Sequence, residues 1–276
     1  MDPNPDRTRS RAPGAPAAHG AADWVAHFGN AAIGGLAFAL ALVFIGGAID
    51  APLARIARGI DPQTARWLAD FAALGQANGL LAATALAALL SVVVAVAQRS
   101  RRQRAAFFVL AQRAGFAFLA VALSVLVVQG LKFALGRAQP NMLSEYGAFH
   151  FALFSQGSFA ASFPSGHATT AFAFATALAL FVPRWGMVFF LAALAIAVAR
   201  VAVGAHYPSD VLGGMVLGVA LTFGVARLCA RLHLVFRLEG GRLVRRGEGL
   251  VSSAMRRLFG RAPVRLDASA PSANGL

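Results

Sequence analysis

The sequence is short of acidic residues, and it contains a single lysine and a single cysteine. Of its 276 residues, 11 are Asp or Glu and 25 are Lys or Arg, so that only 13% are charged. A soluble globular domain carries about 25% charged residues, and the shortage excludes an ordinary soluble protein. The lone cysteine, Cys229, excludes an internal disulfide. The rest of the chain is strongly apolar, because 58% of it is hydrophobic. This composition is typical of a membrane protein.

Six apolar segments are long enough to cross a bilayer, which takes about 20 helical residues. They cover residues 30–49, 78–97, 114–135, 165–182, 187–204 and 210–231. The segment GLLAATALAALLSVVVAVA (79–97) has no polar face at helical spacing, which argues against a large soluble bundle. The sequence therefore predicts an all-α polytopic membrane protein with six transmembrane helices. We expect a disordered tail at 1–28, a membrane domain at 29–233 and a basic tail at 234–276.

The placement of arginine predicts the orientation of the helices. Both ends of the chain and the turn at 98–113 are rich in arginine, and positively charged loops stay in the cytoplasm. Both termini are therefore expected to be cytoplasmic, in a multi-pass protein of the cell inner membrane. The loops expected on the outer, periplasmic face are 50–77, 136–164 and 204–209. Three arginines in the first of these loops oppose this orientation but are outnumbered: Arg55, Arg58 and Arg66.

Three clusters of polar residues lie at helix ends that this orientation places on the outer face. A charge well inside a spanning helix costs about 3 kcal/mol on insertion scales, so each of these charges needs a reason. The clusters are Lys132 with Arg137 and Gln139, the motif PSGH from Pro164 to His167, and the stretch from Ala199 to Asp210. Their convergence on one side predicts a single polar site.

The PSGH motif has the properties of an anion site at the start of a helix. Pro164 suits a first helical turn, where its missing N–H costs nothing. Ser165 supplies a hydroxyl, and Gly166 lets a ligand approach the free backbone N–H groups, which bind anions at a helix N-terminus. His167 can act as an acid or a base near neutral pH. The same four residues would also make an ordinary helix-start turn, so the motif alone leaves both interpretations open.

The third cluster combines a histidine, a carboxylate and an arginine. His206 and Asp210 are four residues apart, and Pro208 between them is well placed to open a helix. A carboxylate held against one imidazole nitrogen fixes the tautomer and leaves the other nitrogen free to attack or to abstract a proton. Arg200 adds five donors that suit phosphate. The simpler alternatives are a helix-capping contact for the pair and a snorkelling side chain for Arg200.

Lys132 is a compact point charge of the kind that binds phosphate. In a continuing helix Gln139 would share its face, whereas Arg137 would point about 140° away. A stray interfacial lysine is the alternative. A hard cation needs several oxygen ligands, and here one carboxylate faces Lys132, Arg137 and Arg200. That balance attracts an anion and repels a cation, so we expect no metal at this site.

Together the clusters resemble the three-part signature of the type-2 phosphatidic acid phosphatase family, which reads K-x6-R-P, P-S-G-H and S-R-x5-H-x3-D. The matching positions are Lys132 to Pro140, Pro164 to His167, and Arg200 with His206 and Asp210. The resemblance covers roughly residues 30–232. It implies a metal-independent phosphatase of lipid phosphates or diphosphates that needs no cofactor. The expected partners are such a lipid substrate and the bilayer, with no nucleic acid.

The resemblance also implies a role for each residue of the site. His206 would attack phosphorus and form a phosphohistidine, Asp210 would orient it, and His167 would protonate the leaving oxygen. Water would then release phosphate from the histidine. The groups expected to bind the phosphoryl oxygens are Lys132, Arg200, Ser165, the Gly166 N–H, Gln139 and Arg137.

Two positions depart from the family signature. Gln139 stands where the family has arginine, and Ala199 stands where it has serine. Charge-assisted hydrogen bonds are about twice as strong as neutral ones, so we expect Gln139 to weaken phosphate binding. Arg137 would compensate only if residues 137–140 are extended, because alternate residues then share a side. Three functions stay open: a lipid phosphate phosphatase, a phosphotransferase using the same phosphohistidine, and a non-catalytic lipid-binding relative.

Overall fold

The structure, a computed structural model, describes residues 47–154, 161–247 and 249–251. Most of these residues are helical. The helices are α1 (47–57), α2 (Pro62–Ala72), α3 (Ala77–Ala97), α4 (Arg101–Leu135), α5 (Leu143–Tyr146), α6 (Gly166–Phe181), α7 (Gly186–Ala202) and α8 (Pro208–Arg231). Two short strands follow, β1 (Phe236–Glu239) and β2 (Arg242–Arg245).

Four helical stretches are long and apolar enough to cross a membrane. They are Pro62–Ala97, Arg101–Leu135, Pro183–Ala202 and Pro208–Arg231. The fifth apolar helix, α6, has only 16 residues. Large hydrophobic side chains project from these helices, with Leu126 70% exposed and Met187 72% exposed, as expected of surfaces that face lipid. The chain is therefore membrane-embedded and mostly helical, while the full set of six spans stays a prediction. The predicted tail at 1–28 and most of the predicted helix at 30–49 lie outside the described residues.

Several segments that the sequence assigned to loops contain helices, among them α5 in the loop expected at 136–164. The arginine-rich turn expected at 98–113 is the first part of α4, which begins at Arg101 and runs for 35 residues. Arg, Gln, Ala and Leu are strong helix formers, and Gly115 is the first glycine or proline in this helix. The outer loop expected at 50–77 contains α2, whose N-terminus is capped by the Asp61 carboxylate through Gln63 N and Thr64 N. Neither 98–113 nor 50–77 has an apolar run of membrane-spanning length of its own, which is why the sequence predicts loops there.

The predicted basic tail begins with a β-hairpin, so the described part of the chain is not entirely α-helical. Strands β1 and β2 pair antiparallel, with Phe236 opposite Arg245. Phe236 is buried, and its ring lies 5.1 Å from that of Phe116 and 5.5 Å from that of Phe181. Arg245 also donates to the Phe181 carbonyl oxygen at 2.7 Å. Residues just after the last helix are therefore part of the packed core.

Helices α6 and α8 approach each other closely through two glycines. A Cβ on Gly218 would lie 2.3 Å from the carbonyl oxygen of Thr169, and one on Gly214 would lie 2.7 Å from that of Ser165. Small residues four apart let membrane helices pack backbone to backbone. At the same end of this contact, Ser165 N donates to the Asp210 carbonyl oxygen at 3.0 Å. The packing thus fixes the start of α6 against the start of α8, and it joins two of the predicted polar clusters.

Candidate active site

Residues from all three predicted clusters meet in one place. Lys132 near the end of α4 interacts electrostatically with Arg200 of α7 and with Asp210 of α8. His167, in the first turn of α6, interacts with Lys132, Arg200 and His206. These interactions place the C-terminal ends of α4 and α7 beside the N-terminal ends of α6 and α8. One carboxylate here faces four cationic or ionisable side chains, those of Lys132, Arg200, His167 and His206, and this balance favours an anionic ligand.

Gly136 ends the helix that carries Lys132. Its φ is +57°, and its N–H donates to the Lys132 carbonyl oxygen at 2.9 Å. A Cβ at this position would lie 1.9 Å from the carbonyl oxygen of Ala152, so the turn requires glycine. The chain then leaves the helix and Arg137 forms a β-bridge with Phe151. The helix therefore stops before Arg137, and the face expected for Gln139 in a continuing helix does not exist.

Arg137 is buried, and its guanidinium group donates only to oxygen atoms of the protein itself in the described residues. Its side chain is only 2% exposed, and all five of its N–H donors are engaged. Nε and Nη2 donate to the Ala148 carbonyl oxygen, Nη2 also to Asp50 at 2.7 Å, and Nη1 to Asp210 at 2.5 Å. Nη1 completes the set with the Ser209 hydroxyl at 2.6 Å. No donor is left for a phosphoryl oxygen, so the structure corrects the expectation that Arg137 binds phosphate.

The Asp210 carboxylate accepts hydrogen bonds from three different residues. Its Oδ1 accepts from Arg137, and its Oδ2 accepts from the Ser162 hydroxyl at 2.6 Å and from Tyr207 N at 2.8 Å. The bond to Tyr207 N is the helix-capping contact that the sequence left open as the simpler alternative. His206 Nδ1 lies 3.8 Å from Oδ2, beyond hydrogen-bonding distance. The carboxylate is therefore positioned next to the imidazole without being bonded to it.

His206 is buried in the turn between α7 and α8. Burial disfavours the imidazolium ion and lowers the pKa of His206 below its ordinary value of 6.5. The ring is therefore neutral at neutral pH. A neutral imidazole has one unprotonated nitrogen, which is the form that can attack an electrophile.

Three predicted site residues carry a buried polar atom without a hydrogen-bond partner in the described part of the chain. These atoms are Ser165 Oγ, Arg200 Nε and His206 Nδ1. Buried polar groups in proteins are nearly always hydrogen-bonded. A hydroxyl and a guanidinium N–H are donors, so both suit the oxygens of a phosphoryl group. Together with Lys132, they give the site the character of an oxyanion pocket.

Of the other predicted residues, Gly166 and His167 border the site, whereas no side-chain hydrogen bond joins Gln139 to it in the described part of the chain. Gly166 and His167 share with Lys132 the wall of a cavity of about 240 Å³. Gln139 is half-buried, and its main-chain carbonyl oxygen accepts a hydrogen bond from Met142 N at 2.9 Å. No hydrogen bond in the described ranges ties its amide to the cluster. Within those ranges, no three His, Cys, Asp or Glu side chains lie close enough together to hold a metal ion.

Sequence reasoning missed the residues that support Asp210 from behind. Asp50 is fully buried and accepts from Arg137, from Ser209 N at 3.0 Å and from the Ser209 hydroxyl at 2.6 Å. One signal pointed to it, because a charge that follows an apolar run is costly unless it is paired. Ser162, which donates to Asp210, has no comparable signal in the sequence.

Comparisons with known proteins identify a matching family model and similar chains. Residues 113–233 match the family model described as PAP2 superfamily. The chain is 45% identical over 123 residues to a lipid A 1-phosphatase of Rhizobium johnstonii, covering 45% of this chain and 50% of that one. It is 43% identical over 123 residues to a lipid A 1-phosphatase of Rhizobium etli, covering 45% and 53%. The matches thus span about half the length of these relatives.

A solved structure shows the same fold. It is the crystal structure of a transmembrane PAP2-type phosphatidylglycerolphosphate phosphatase from Bacillus subtilis, with a TM-score of 0.51 and 21% sequence identity. The likeness covers 72% of this chain and 96% of that one. Residues 113–233, which contain all three motifs, match the PAP2 superfamily model, in agreement with the resemblance that the motifs carry.

Proposed function

We propose that this protein is a membrane phosphatase that hydrolyses a lipid phosphate or diphosphate through a phosphohistidine on His206, without a metal ion. The observation that carries the proposal is the set of unpartnered buried polar atoms on Ser165, Arg200 and His206, beside the charge of Lys132. Ser165 Oγ and Arg200 Nε are donors for the phosphoryl oxygens, and His206 Nδ1 lies on the Asp210 side of its ring, which leaves Nε2 for attack on phosphorus. The PAP2 match over 113–233 supports the same reaction class.

In the first step His206 attacks phosphorus. Its Nδ1 faces Asp210 at 3.8 Å, so Nε2 is the nitrogen that would form the N–P bond. The P–O bond to the lipid breaks, and His167 gives its proton to the departing oxygen. Lys132 and Arg200 would stabilise the negative charge that spreads over the phosphoryl oxygens. A shift of about 1 Å would bring Asp210 into hydrogen-bonding range of the imidazolium that forms, since such contacts often tighten on substrate binding.

In the second step water attacks the phosphohistidine. His167, now unprotonated, takes a proton from the water as the new O–P bond forms and the N–P bond breaks. Phosphate leaves, and His206 and His167 return to their starting protonation states. The two histidines therefore alternate with no net change, and the reaction needs no oxidant, reductant or further group.

The relatives suggest a substrate class, and the distribution of arginine suggests a location. Two of them are lipid A 1-phosphatases by name, and we propose a lipid A-type phosphate as the substrate of this chain. The arginine distribution supports a bacterial inner membrane with both termini in the cytoplasm and the site on the periplasmic face. Other lipid phosphates and diphosphates are the alternatives to be compared in the assay.

The proposal is tested by release of inorganic phosphate from lipids presented to the purified protein in detergent. We expect release from a lipid A 1-phosphate at an unchanged rate in EDTA, measured beside phosphatidic acid, phosphatidylglycerol phosphate and undecaprenyl diphosphate. Transfer of phosphate to an added lipid acceptor, without release to water, would indicate a phosphotransferase. Folded protein that neither hydrolyses nor transfers would contradict catalysis and leave the lipid-binding interpretation. Loss of activity in EDTA would contradict metal independence.

The lowered pKa of His206 predicts the pH dependence of the reaction. The neutral imidazole is the nucleophile, and burial favours that neutral form. As the pH falls, protonation of His167, the proposed acid, should favour the reaction. The rate should decline only below 6.5, the ordinary pKa of histidine, through the lowered pKa of His206. The profile of kcat/KM between pH 4 and 8 measures this, with a lipid whose phosphate has been titrated separately. An acid limb at or above 6.5 would contradict a buried neutral nucleophile.

A further inference from the structure

A cavity of about 240 Å³ opens beside the proposed catalytic residues and is lined by three side-chain amides. Lys132, Gly166 and His167 form the wall next to the chemistry. The amides come from two helices that sequence reasoning did not connect with the site. They are Gln76 and Asn78 at the start of α3, and Gln129, one turn before Lys132 in α4.

These amides have no partner in the described part of the protein. All three residues are exposed, and none of their side chains hydrogen-bonds to another described residue. Polar side chains in membrane helices ordinarily hydrogen-bond to a neighbouring helix. By contrast, Ser124 of the same helix satisfies its hydroxyl on the Ala120 carbonyl oxygen at 2.8 Å. Gln129 therefore has a donor and an acceptor that the protein itself does not use.

The side chains that line the cavity determine which chemical group can bind in it. An amide offers both a donor and an acceptor and carries no charge. Hydroxyl groups on a ring need that combination, whereas a second phosphate would call for cations, and none beyond Lys132 lines the cavity. A hydrocarbon chain would instead fit the apolar cavity of about 430 Å³ formed by Ile49, Leu53, Val198 and their neighbours. The amide-lined cavity suits a compact polyhydroxylated group.

The position of the cavity says which part of a substrate would enter it. His167 lines it, and His167 is the residue proposed to protonate the oxygen that leaves phosphorus. The group attached to that oxygen must therefore lie on the His167 side of the phosphate. We propose that Gln76, Asn78 and Gln129 form a subsite for the leaving group, and that this group is a sugar ring, so that the preferred substrate is a glycosyl phosphate. This inference rests on the proposed phosphatase function.

The test compares two substrates in protein variants that lose an amide but keep its size. Gln129→Leu and the double variant with Asn78→Leu are measured for kcat and KM on a lipid A 1-phosphate and on phosphatidic acid. Each lost hydrogen bond is worth a factor of about 2 to 10. The ratio of kcat/KM for the two lipids should therefore shift about tenfold toward phosphatidic acid in the double variant, mainly through KM. Gln129→Asn should recover part of the shift, and Gln98→Leu at the far end of α3 is the matched control with no expected change.

The possible outcomes separate the subsite from the proposed function. An equal loss on both lipids, or no shift of the ratio, overturns the subsite while leaving the phosphatase intact. If the wild-type protein hydrolyses neither lipid, the proposed function fails. The subsite is then tested separately, by measuring the binding of lipid A 1-phosphate to the His206→Ala protein. Weaker binding after Gln129→Leu in that background supports the subsite, and equal binding overturns it.

Discussion

Replacing His206 with alanine is expected to reduce phosphate release by a factor of about 10⁴ or more, the scale seen when a catalytic nucleophile is removed. No other described group next to Lys132 and Arg200 is both neutral and oriented by a carboxylate. The loss should be chemical and not structural, because His206 Nδ1 has no hydrogen-bond partner whose loss would leave a protein group unsatisfied. Phosphate release and the thermal unfolding midpoint, measured on the same preparation, separate the two causes.

A matched histidine provides the control for this variant. His233 is exposed beyond the end of α8 with a φ of +54°, a conformation that asparagine tolerates. His233→Asn should therefore keep the wild-type rate. Rapid quenching with labelled substrate should trap a phosphohistidine in the wild-type protein and none in His206→Ala. If His206→Ala retained a tenth of the wild-type rate, another group would have to be the nucleophile.

Replacing Arg137 with alanine is expected to lower both stability and activity. The substitution leaves the carboxylates of Asp50 and Asp210 buried without their cation, since both are 0% exposed. Breaking a buried ion pair in this way costs about 3 to 5 kcal/mol in the free energy of unfolding. Asp210 would also lose the contact that fixes it beside His206. Thermal unfolding in detergent and phosphate release measure the two effects.

Two further variants sharpen the interpretation of Arg137. Arg137→Lys should recover little, because a single ammonium group cannot replace five fixed donors. Arg66→Ala, at an exposed position in α2, should match the wild-type protein in both measurements. A stable but inactive Arg137→Ala protein would contradict the structural role, and it would return weight to the original expectation that Arg137 contacts phosphate.

The fold was predictable wherever the sequence contains long apolar runs. Four helices, α3, α6, α7 and α8, lie close to their expected ranges for that reason, and so does the second part of α4. The first part of α4 and the whole of α2 escaped prediction, because local helix propensity and a cap at Asp61 form them without membrane-length hydrophobicity. The hairpin did carry a signal, since Gly240 and Gly241 separate two short alternating segments. The high arginine content of that region favoured the interpretation as a tail.

In the site, contacts within one motif were predictable from the sequence, and contacts between residues far apart in the sequence were not. Pairs within a motif, such as His206 with Asp210, follow from helical spacing. The contacts of Arg137 do not, because Asp210 is 73 residues away in sequence and Asp50 is 87. Asp50 and Ser209 are separated by 159 residues. No spacing rule connects such positions, and they become neighbours only through the packing of the helices.

The β-hairpin decides where a shortened form of this protein can safely stop. A chain cut directly after α8 would remove Phe236 and expose the faces of Phe116 and Phe181 that it covers. It would also free the Phe181 carbonyl oxygen from Arg245. A purification tag, a fluorescent fusion or a protease site therefore belongs after β2 and not directly after α8.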